Sequence, residues 1–288
     1  MIIDSHAHYR HSAYQKSFRY LAMDGREYAL REGELPQLFE HMRAAGIRCS
    51  IEPGVNLQSC AHILEFCKAH PGRVFPAIGL HPTRCIFEAW SGRRQLAELA
   101  NAPEVVAIGE TGLDYHFPRK EQQRLKQHIW FLYQLDLAWK LKKPVILHVR
   151  DAHKDALQIL GLHPARKLGG VIHCFHDSRE TARQYLDLGY HIGIGGSALQ
   201  QPERAEPLLE AIRDMPLDRI LLETDAPYIL PYCKDVLPPK LLRRARNTSL
   251  VLPAVAQKIA ELKGITPEEV ETATAQNAIR LFRLPVTL

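Results

Sequence analysis

The chain has 288 residues, of which 46% are hydrophobic and 24% are charged, and its formal net charge is +5 with a pI near 8.9. This length and composition are sufficient for one large core, so a single domain spanning residues 1–288 is expected. The composition excludes a membrane helix, because no apolar run approaches roughly 20 residues. The six cysteines contain no C-x-x-C pair, and the first residues lack a signal-like apolar core, so a reduced cytoplasmic protein is expected.

Short apolar, β-branched segments alternate with longer amphipathic segments along the chain. Strands are predicted at residues 1–8, 49–55, 74–82, 105–114, 144–150, 169–175, 190–196 and 219–227. Apolar residues at three-and-four spacing predict helices, among them residues 35–46, 57–70, 121–142, 178–189, 202–215 and 250–264. Eight strands alternating with helices favour a closed parallel (β/α)8 barrel, the TIM barrel, over an open sheet.

Two long segments interrupt this alternation, at residues 9–34 after the first predicted strand and at residues 228–249 after the eighth. In a parallel barrel, both follow the carboxyl end of a strand and therefore lie at the C-terminal rim, where substrates bind. The first segment has two open interpretations: a lid that restricts the substrate, or an interaction surface without a catalytic role.

Polar residues follow the apolar part of most predicted strands. They are His6, His8, Glu52, His81, Glu110, Asp114, His148, Arg150, His173, Glu223 and Asp225. His6 and His8 share one face of a strand, about 7 Å apart along the backbone. A single histidine at a strand end is most often an ordinary structural residue. A metal site is indicated here because many strands carry such residues at the same rim.

Imidazoles and carboxylates without cysteine suit zinc or manganese, and the added carboxylates make magnesium possible. Histidines on four strands together with two acids exceed the needs of one tetrahedral ion, so two divalent ions are expected. A carboxylate such as Glu110 can bridge two ions roughly 3.5–4 Å apart, and such a pair clamps a phosphoryl group and activates water. The basic pI suits an anionic substrate.

The motifs DSHAH, AIGLHP, EVVAIGETGLDY, PVILHVRDA, GVIHCF, GIGG, RILLETDAPYILP and RN resemble the TatD-type metal-dependent deoxyribonucleases of the amidohydrolase superfamily, in the order and approximate spacing of that family. The resemblance covers nearly the whole chain. It implies a (β/α)8 barrel with two metal ions that hydrolyses nucleic-acid phosphodiesters, often as a 3'-5' exonuclease on single-stranded DNA or RNA. It also implies that His6, His8 and Asp225 bind one ion, that His148 and His173 bind the other, and that Glu110 bridges them.

The resemblance and the chemistry of individual side chains suggest further roles. Asp225 is expected to accept the proton of the attacking water, although an Asp before Ala-Pro also opens ordinary turns. The resemblance implies that His81 lies near the phosphate, while Arg150 and Arg246 have guanidinium groups suited to phosphate oxygens. Tyr115, His116 and Phe117 are candidates for stacking on bases or for packing against the next helix. Glu223 and Asp114 are expected to orient ligands rather than bind metal.

The chain departs from the family pattern after RN, where Glu-Pro is usual and Thr248 and Ser249 stand instead. Thr248 is predicted to cap the following helix, and any hydrogen bond made by the missing glutamate is in doubt.

Two other functions remain open. One is hydrolysis of a small-molecule amide, lactone or phosphotriester, or of one nucleotide or transfer-RNA ester, on the same barrel; many such relatives bridge their ions with a carboxylated lysine, whereas residues 105–114 contain no lysine. The other is a non-catalytic protein that binds a partner through its long rim segments. The oligomeric state is not indicated by the sequence.

Overall fold

A computed structural model describes residues 1–21, 27–117, 120–231 and 245–287. Eight parallel strands lie side by side in chain order. They are β1 Ile2–Asp4, β4 Ile47–Pro53, β5 Val74–Ile78, β6 Ala107–Asp114, β7 Val145–Arg150, β8 Gly170–Ile172, β9 His191–Ile194 and β10 Ile220–Leu222, and β2 and β3 belong to a separate small sheet. The amide of Ser5 donates to the carbonyl of Leu222 at 2.9 Å, which joins β1 to β10 and closes the barrel. The predicted TIM barrel and all eight of its strands are confirmed.

Helices connect the strands and cover the outside of the barrel. They are α1 Leu35–Ala44, α2 Leu57–Ala69, α3 Pro82–Cys85, α4 Arg93–Ala100, α5 Glu121–Leu141, α6 His153–Leu162, α7 Arg179–Asp187, α8 Pro202–Asp214, α9 Leu252–Lys263 and α10 Pro267–Phe282. Local chemistry sets several boundaries: Asn56 caps α2 by accepting from the amide of Ser59 at 2.7 Å. All six predicted helices are present, and the structure adds α3, α4, α6 and α10.

The two faces of the barrel strands pack into different apolar layers. Ile2 belongs to the large cluster between the barrel and its helices, whereas its neighbour Ile3 belongs to a second cluster. That second cluster joins strand residues such as Ala77 and Val171 to Ala278 and Phe282 of α10. Alternate strand residues point to opposite faces, so the second cluster fills the barrel interior. Helix α10 therefore closes one end, and a substrate can reach the interior only from the other.

The two long segments meet at the open, C-terminal end of the barrel. Residues 9–34 contain β2, Phe18–Leu21, and β3, Glu27–Leu30, which pair antiparallel. The short strand β11, Ala245–Arg246, comes from the second segment and pairs parallel with β2. The rim location was predicted, but this small sheet was not. Residues 22–26 and 232–244 of these segments lie outside the described residues.

The predicted cap at Thr248 is wrong. Its side chain makes no capping hydrogen bond, and its hydroxyl is buried without a partner among the described residues. A 3-10 turn, Ser249–Val251, intervenes before α9 begins at Leu252. The hydroxyl of Ser249 instead donates to Asp4 at 2.6 Å, so this position ties the start of α9 to β1. None of the described helices combines the length and apolar character that crossing a bilayer requires.

Candidate metal centre

The six predicted metal ligands converge at the C-terminal end of the barrel. Glu110 in β6 lies at the middle of the group and is buried. Its Oε2 atom is 3.5 Å from Nε2 of His6, whereas its Oε1 atom is 2.9 Å from Nε2 of His173 and 2.9 Å from Nδ1 of His148. The two oxygens of one carboxylate therefore face two different histidine clusters.

The first cluster combines His6 and His8, which follow β1, with Asp225, which follows β10. One ligand atom from each residue lies within 4.8 Å of the others. Asp225 Oδ1 is 3.6 Å from Nε2 of His6 and 3.4 Å from Nε2 of His8. The alternation of side chains along an extended chain brings both imidazoles to the same side, as predicted.

The second cluster contains His148 of β7 and His173, which follows β8. Their facing atoms, Nδ1 of His148 and Nε2 of His173, are 3.2 Å apart, and both lie beside Glu110 Oε1. The other ring nitrogen of His148, Nε2, is 3.1 Å from Asp114 Oδ2. In a metal-bound site the Asp114 carboxylate would accept the proton of Nε2 and leave the Nδ1 lone pair for the ion. Burial opposes protonation of His148, but Asp114 and Glu110 together raise its pKa to about 9, so both ring nitrogens carry protons at neutral pH when no ion is bound.

His81 has the opposite ring geometry. It caps α3, and its Nδ1 accepts from the amide of Thr83 at 3.1 Å. The remaining proton of the neutral ring is therefore on Nε2, which points at Glu110 Oε1 from 3.3 Å. Burial and the neighbouring His148 lower the pKa of His81 to about 3, against the effect of Glu110. His81 is a hydrogen-bond donor in this arrangement, although it lies as close to Glu110 as the ligand histidines.

Neighbouring acids hold the strand ends that carry these residues. Glu223 accepts from the amide of Cys174 and lies 3.9 Å from Nδ1 of His173. A side chain at Gly193 would overlap the Glu223 carboxylate, so this position requires glycine. Glu52 accepts from the amides of Tyr9 and Arg10 at 2.6 and 3.1 Å and so anchors the chain after β1. Glu223 and Glu52 thus hold the backbone next to His173 and His8 by accepting hydrogen bonds from its amides.

The backbone is left-handed at three strand ends of the site. Asp151, Cys174 and Asp225 have φ values of 53°, 48° and 52°, in a region that non-glycine residues rarely occupy. They follow β7, β8 and β10, and all three line one cavity. Strain of this kind is typical of functional sites, where the surrounding contacts hold it in place.

The electrostatics of the centre favour ionised acids among imidazoles. Burial opposes ionisation of Glu110, but His173, His81 and the other imidazoles hold its pKa well below the usual range. Burial also opposes ionisation of Asp225, and the hydrogen bond from His8 lowers its pKa overall. Two carboxylates ionised at neutral pH lie among imidazoles that would release a proton on binding a metal, and together these groups form a donor set for divalent cations.

A cavity of about 880 Å³ opens above the centre. Its wall includes Arg150 and Phe117, whose ring is 64% exposed and lies 5.3 Å from the Arg150 guanidinium carbon. Tyr115 lies elsewhere: its hydroxyl contacts His128 and Asp155. Arg246 pairs with β2 in the rim sheet, outside the wall formed by the described residues. The structure therefore brings Arg150 to the cavity with His81, but neither Tyr115 nor Arg246.

Tyr228 and His11 line the same cavity and were not predicted. The ring of Tyr228 lies 6.3 Å from that of His8, and its hydroxyl is 3.1 Å from Nε2 of His11. Nδ1 of His11 accepts from the amide of Ala13 at 3.0 Å, so in the neutral ring Nε2 carries the proton and donates to Tyr228. The phenol proton of Tyr228 is then free for another acceptor. The motif RILLETDAPYILP contains this tyrosine, which was the available signal.

The donor set fits divalent ions. Three groups each bring one ligand atom per residue within 4.8 Å of the others: His6 with His8 and Asp225, His6 with Glu110 and His173, and His81 with Glu110 and His148. Glu110 belongs to two of these groups, so its carboxylate links the side of His6 to the side of His148. The fold and the site together define a barrel hydrolase of the metal-dependent class.

Comparison with known proteins agrees with this class. The sequence model of the family described as TatD related DNase matches residues 3–283. A Bacillus subtilis protein named metal-dependent hydrolase YabD is 31% identical over 99% of this chain and 100% of its own length. The 3'-5' ssDNA/RNA exonuclease TatD of Edwardsiella piscicida is 36% identical over 88% of this chain and 94% of its own.

The fold gives the same result. The crystal structure of YjjV, a TatD homologue from Escherichia coli K12, superposes with a TM-score of 0.82 at 26% identity and covers 99% of this chain and 98% of its own. The chain therefore belongs to the TatD-related DNase family and is a metal-dependent hydrolase.

Proposed function

We propose that the protein is a two-metal nuclease that shortens single-stranded DNA or RNA from the 3' end. The observation that carries this proposal is the position of Glu110, whose two oxygens each face a separate cluster of imidazoles. A bridged pair of ions is suited to phosphodiester hydrolysis because it stabilises both the attacking and the leaving oxygen. The name of the Edwardsiella relative, a 3'-5' ssDNA/RNA exonuclease, supports the substrate class and the polarity.

His6, His8, Asp225 and Glu110 would hold one ion, and Glu110, His148 and His173 the other. When bound, magnesium, manganese or zinc would supply Lewis acidity and lower the pKa of water. Asp225 accepts a proton from the attacking water, for which its lowered pKa keeps it ionised. Asp114 fixes the His148 ring through Nε2, and Glu223 lies behind His173.

The substrate is positioned by groups above this centre. The Nε2 proton of His81 is available to a phosphate oxygen, because Thr83 occupies the other ring nitrogen. Arg150 adds a positive charge at the cavity wall. Phe117, which is exposed beside Arg150, stacks on a base, the role predicted for the aromatic group Tyr115, His116 and Phe117. A stacking platform favours unpaired bases, since the two faces of a base are covered in a duplex.

The test uses 3'- and 5'-labelled single-stranded DNA and RNA with metal-stripped protein resupplied with magnesium, manganese or zinc. Stepwise shortening from the 3' end that requires metal and is absent in Asp225→Asn supports the proposal. Asp136→Asn, an exposed acid paired with His163, serves as the matched control and should cut normally. Metal-loaded protein that cleaves neither polymer but hydrolyses a small ester would indicate a small-molecule hydrolase. Protein that retains no metal would indicate a binding role.

A further inference from the structure

A second cleft, of about 730 Å³, lies at the closed end of the barrel. Its walls come from the chain just before β8, β9 and β10 and from the end of α10. Because these strands are parallel, the residues that precede them lie at the N-terminal face, opposite the metal centre. We call this the basal cleft.

The basal cleft is strongly basic. Its lining contains five permanently or normally charged cations and one carboxylate, Asp218; the cations are Arg166, Lys167, Arg219, Arg280 and Arg283. Among the residues that the structure describes, none of the five forms an ion pair with a carboxylate. Some arginines elsewhere on the barrel are paired, such as Arg179 with Asp214 and Arg213 with Glu206, whereas Arg93 and Arg124 lie over aromatic rings. The basal cleft differs because five cations without a carboxylate partner among the described residues share one concave surface. The charge of the basal cleft is therefore left for an external anion.

Neutral groups hold two of these arginines in place. Arg219 donates from Nη1 to the carbonyl of Gly189 at 3.2 Å, and Arg280 donates to the side-chain oxygen of Asn277. Asn277 is buried and is itself fixed by donating to the carbonyls of Leu217 and Ile220, both at 2.9 Å. These contacts orient the guanidinium groups without cancelling their charge. An anion then binds to groups that are already ordered, which reduces the entropic cost of binding.

His191, the first residue of β9, also lines the basal cleft. Its Nδ1 atom is buried and has no partner among the described residues. A buried polar atom without a partner is costly. Because this atom is fully buried, it is an unsatisfied group within the cleft wall and not a contact for the phosphate.

We propose that the basal cleft binds a ligand through a phosphate or polyphosphate group. Guanidinium groups match phosphate in a planar, bidentate manner, and the cleft offers four of them within one concave surface. A multiply charged anion also relieves the mutual repulsion of the unpaired cations. The phosphate belongs either to a free polyphosphate compound or to the backbone of a nucleic-acid strand, and this chemistry is shared by both. The proposal does not depend on the nuclease activity.

The test is calorimetric titration of the full chain with inorganic pyrophosphate and with oligothymidylates of increasing length, at low salt. It is performed on the metal-loaded protein and, to separate phosphate binding at the metal centre, after chelation. In chelated protein, the double variant Arg219→Ala/Arg280→Ala is expected to bind at least 10-fold more weakly. The matched control Arg179→Ala/Arg213→Ala removes the same charge from paired surface arginines and is expected to change affinity less than 2-fold.

A second variant, Arg166→Ala/Lys167→Ala, keeps the test decisive if loss of the Arg280 contact to Asn277 impairs folding. Equal loss of affinity in the control and in both cleft variants overturns the proposal, as does absence of binding in chelated wild-type protein. Pyrophosphate affinity that exceeds that of every oligonucleotide identifies a free phosphorylated compound. Affinity that rises with oligonucleotide length, and falls in the cleft variants, identifies a nucleic-acid strand.

Discussion

The two ends of the barrel present opposite chemistry on one scaffold. At the C-terminal end, buried acids and imidazoles converge around Glu110, with facing oxygen and nitrogen atoms about 3 Å apart. At the N-terminal end, guanidinium groups surround the basal cleft and contact neutral acceptors. Each end therefore has groups of one kind left unsatisfied, and those groups indicate the missing partner: cations at the rim and an anion at the base. Part of the positive charge that gives the chain its basic pI therefore lies at the base of the barrel, away from the metal centre.

The largest expected effect is that of Glu110→Gln. The substitution removes the charge that both clusters share, so hydrolysis should fall on the order of 10³-fold. Metal analysis should show the loss of at least one ion, while pyrophosphate binding at the basal cleft stays unchanged. Asp136→Asn is the control, because this exposed acid pairs with His163 outside the centre. Normal metal content and activity in Glu110→Gln would show that the two clusters are not bridged.

Asp114→Asn should have a smaller effect, confined to one cluster. The amide is a poor substitute for the carboxylate that fixes His148 Nε2, so metal affinity should fall about 10–100-fold. Metal titration with a competing chelator measures this change. Asp155→Asn, which alters an acid bonded to Tyr115 outside the centre, should bind metal normally. Equal affinities in the two variants would remove Asp114 from the support of the centre.

Tyr228→Phe tests whether the free phenol proton contacts the substrate. Loss of one hydrogen bond to a charged oxygen costs about 1.5–3 kcal/mol, so KM for oligonucleotide should rise roughly 10-fold or more. His11→Ala should weaken binding in the wild-type chain but have no further effect in the Tyr228→Phe background, because His11 acts through the tyrosine. Tyr115→Phe is the matched control. Additive effects of His11 and Tyr228 would contradict the coupling.

The smallest effect concerns His191 at the basal cleft. Burial and the neighbouring Arg219 lower its pKa to about 4, whereas the unfolded value is 6.5. The native state thus binds fewer protons than the unfolded state between these values, and the free energy of unfolding falls as the pH decreases through that window. Arg280 adds to this shift, and Asp218 opposes it. Relative to His191→Gln, wild-type protein should lose ~1 kcal/mol more stability between pH 7 and pH 4.5.

Chemical denaturation at both pH values measures that difference. Identical acid sensitivity of the two proteins would show that His191 is already protonated or solvated in the native state.

Much of the fold follows from local patterns. The eight strands were predicted because fully buried β-branched segments alternate with amphipathic ones. This alternation can be read from the local sequence without knowledge of tertiary contacts. The candidates at the strand ends were predicted because imidazoles and carboxylates there are costly to bury unless they bind a partner, and the family resemblance then implied which six of them bind metal. The strand ends themselves are less predictable: the segment 219–227 becomes a strand only up to Leu222, since Asp225 adopts a left-handed conformation.

Neighbouring residues with similar chemistry mark the limit of such inference. Tyr115 and Phe117 both follow β6, yet only Phe117 reaches the cavity wall, because the turn after the strand directs Tyr115 towards His128. The backbone of Arg246 likewise pairs with β2 in the rim sheet. In both cases the type of side chain was informative, but its direction depended on a partner distant in sequence.

The sequence by itself determined the barrel, its family and the residues that can bind metal, because hydrophobic periodicity and ligand-type side chains are local properties. Only the tertiary structure decided which nitrogen of each histidine is free, since that depends on contacts such as Thr83 with His81 and Asp114 with His148. It alone assembled the basal cleft, whose cations come from separate segments and lack any common motif. Whether a cation is paired with a carboxylate depends on distances between residues that are far apart in the sequence, and a local sequence pattern does not contain those distances.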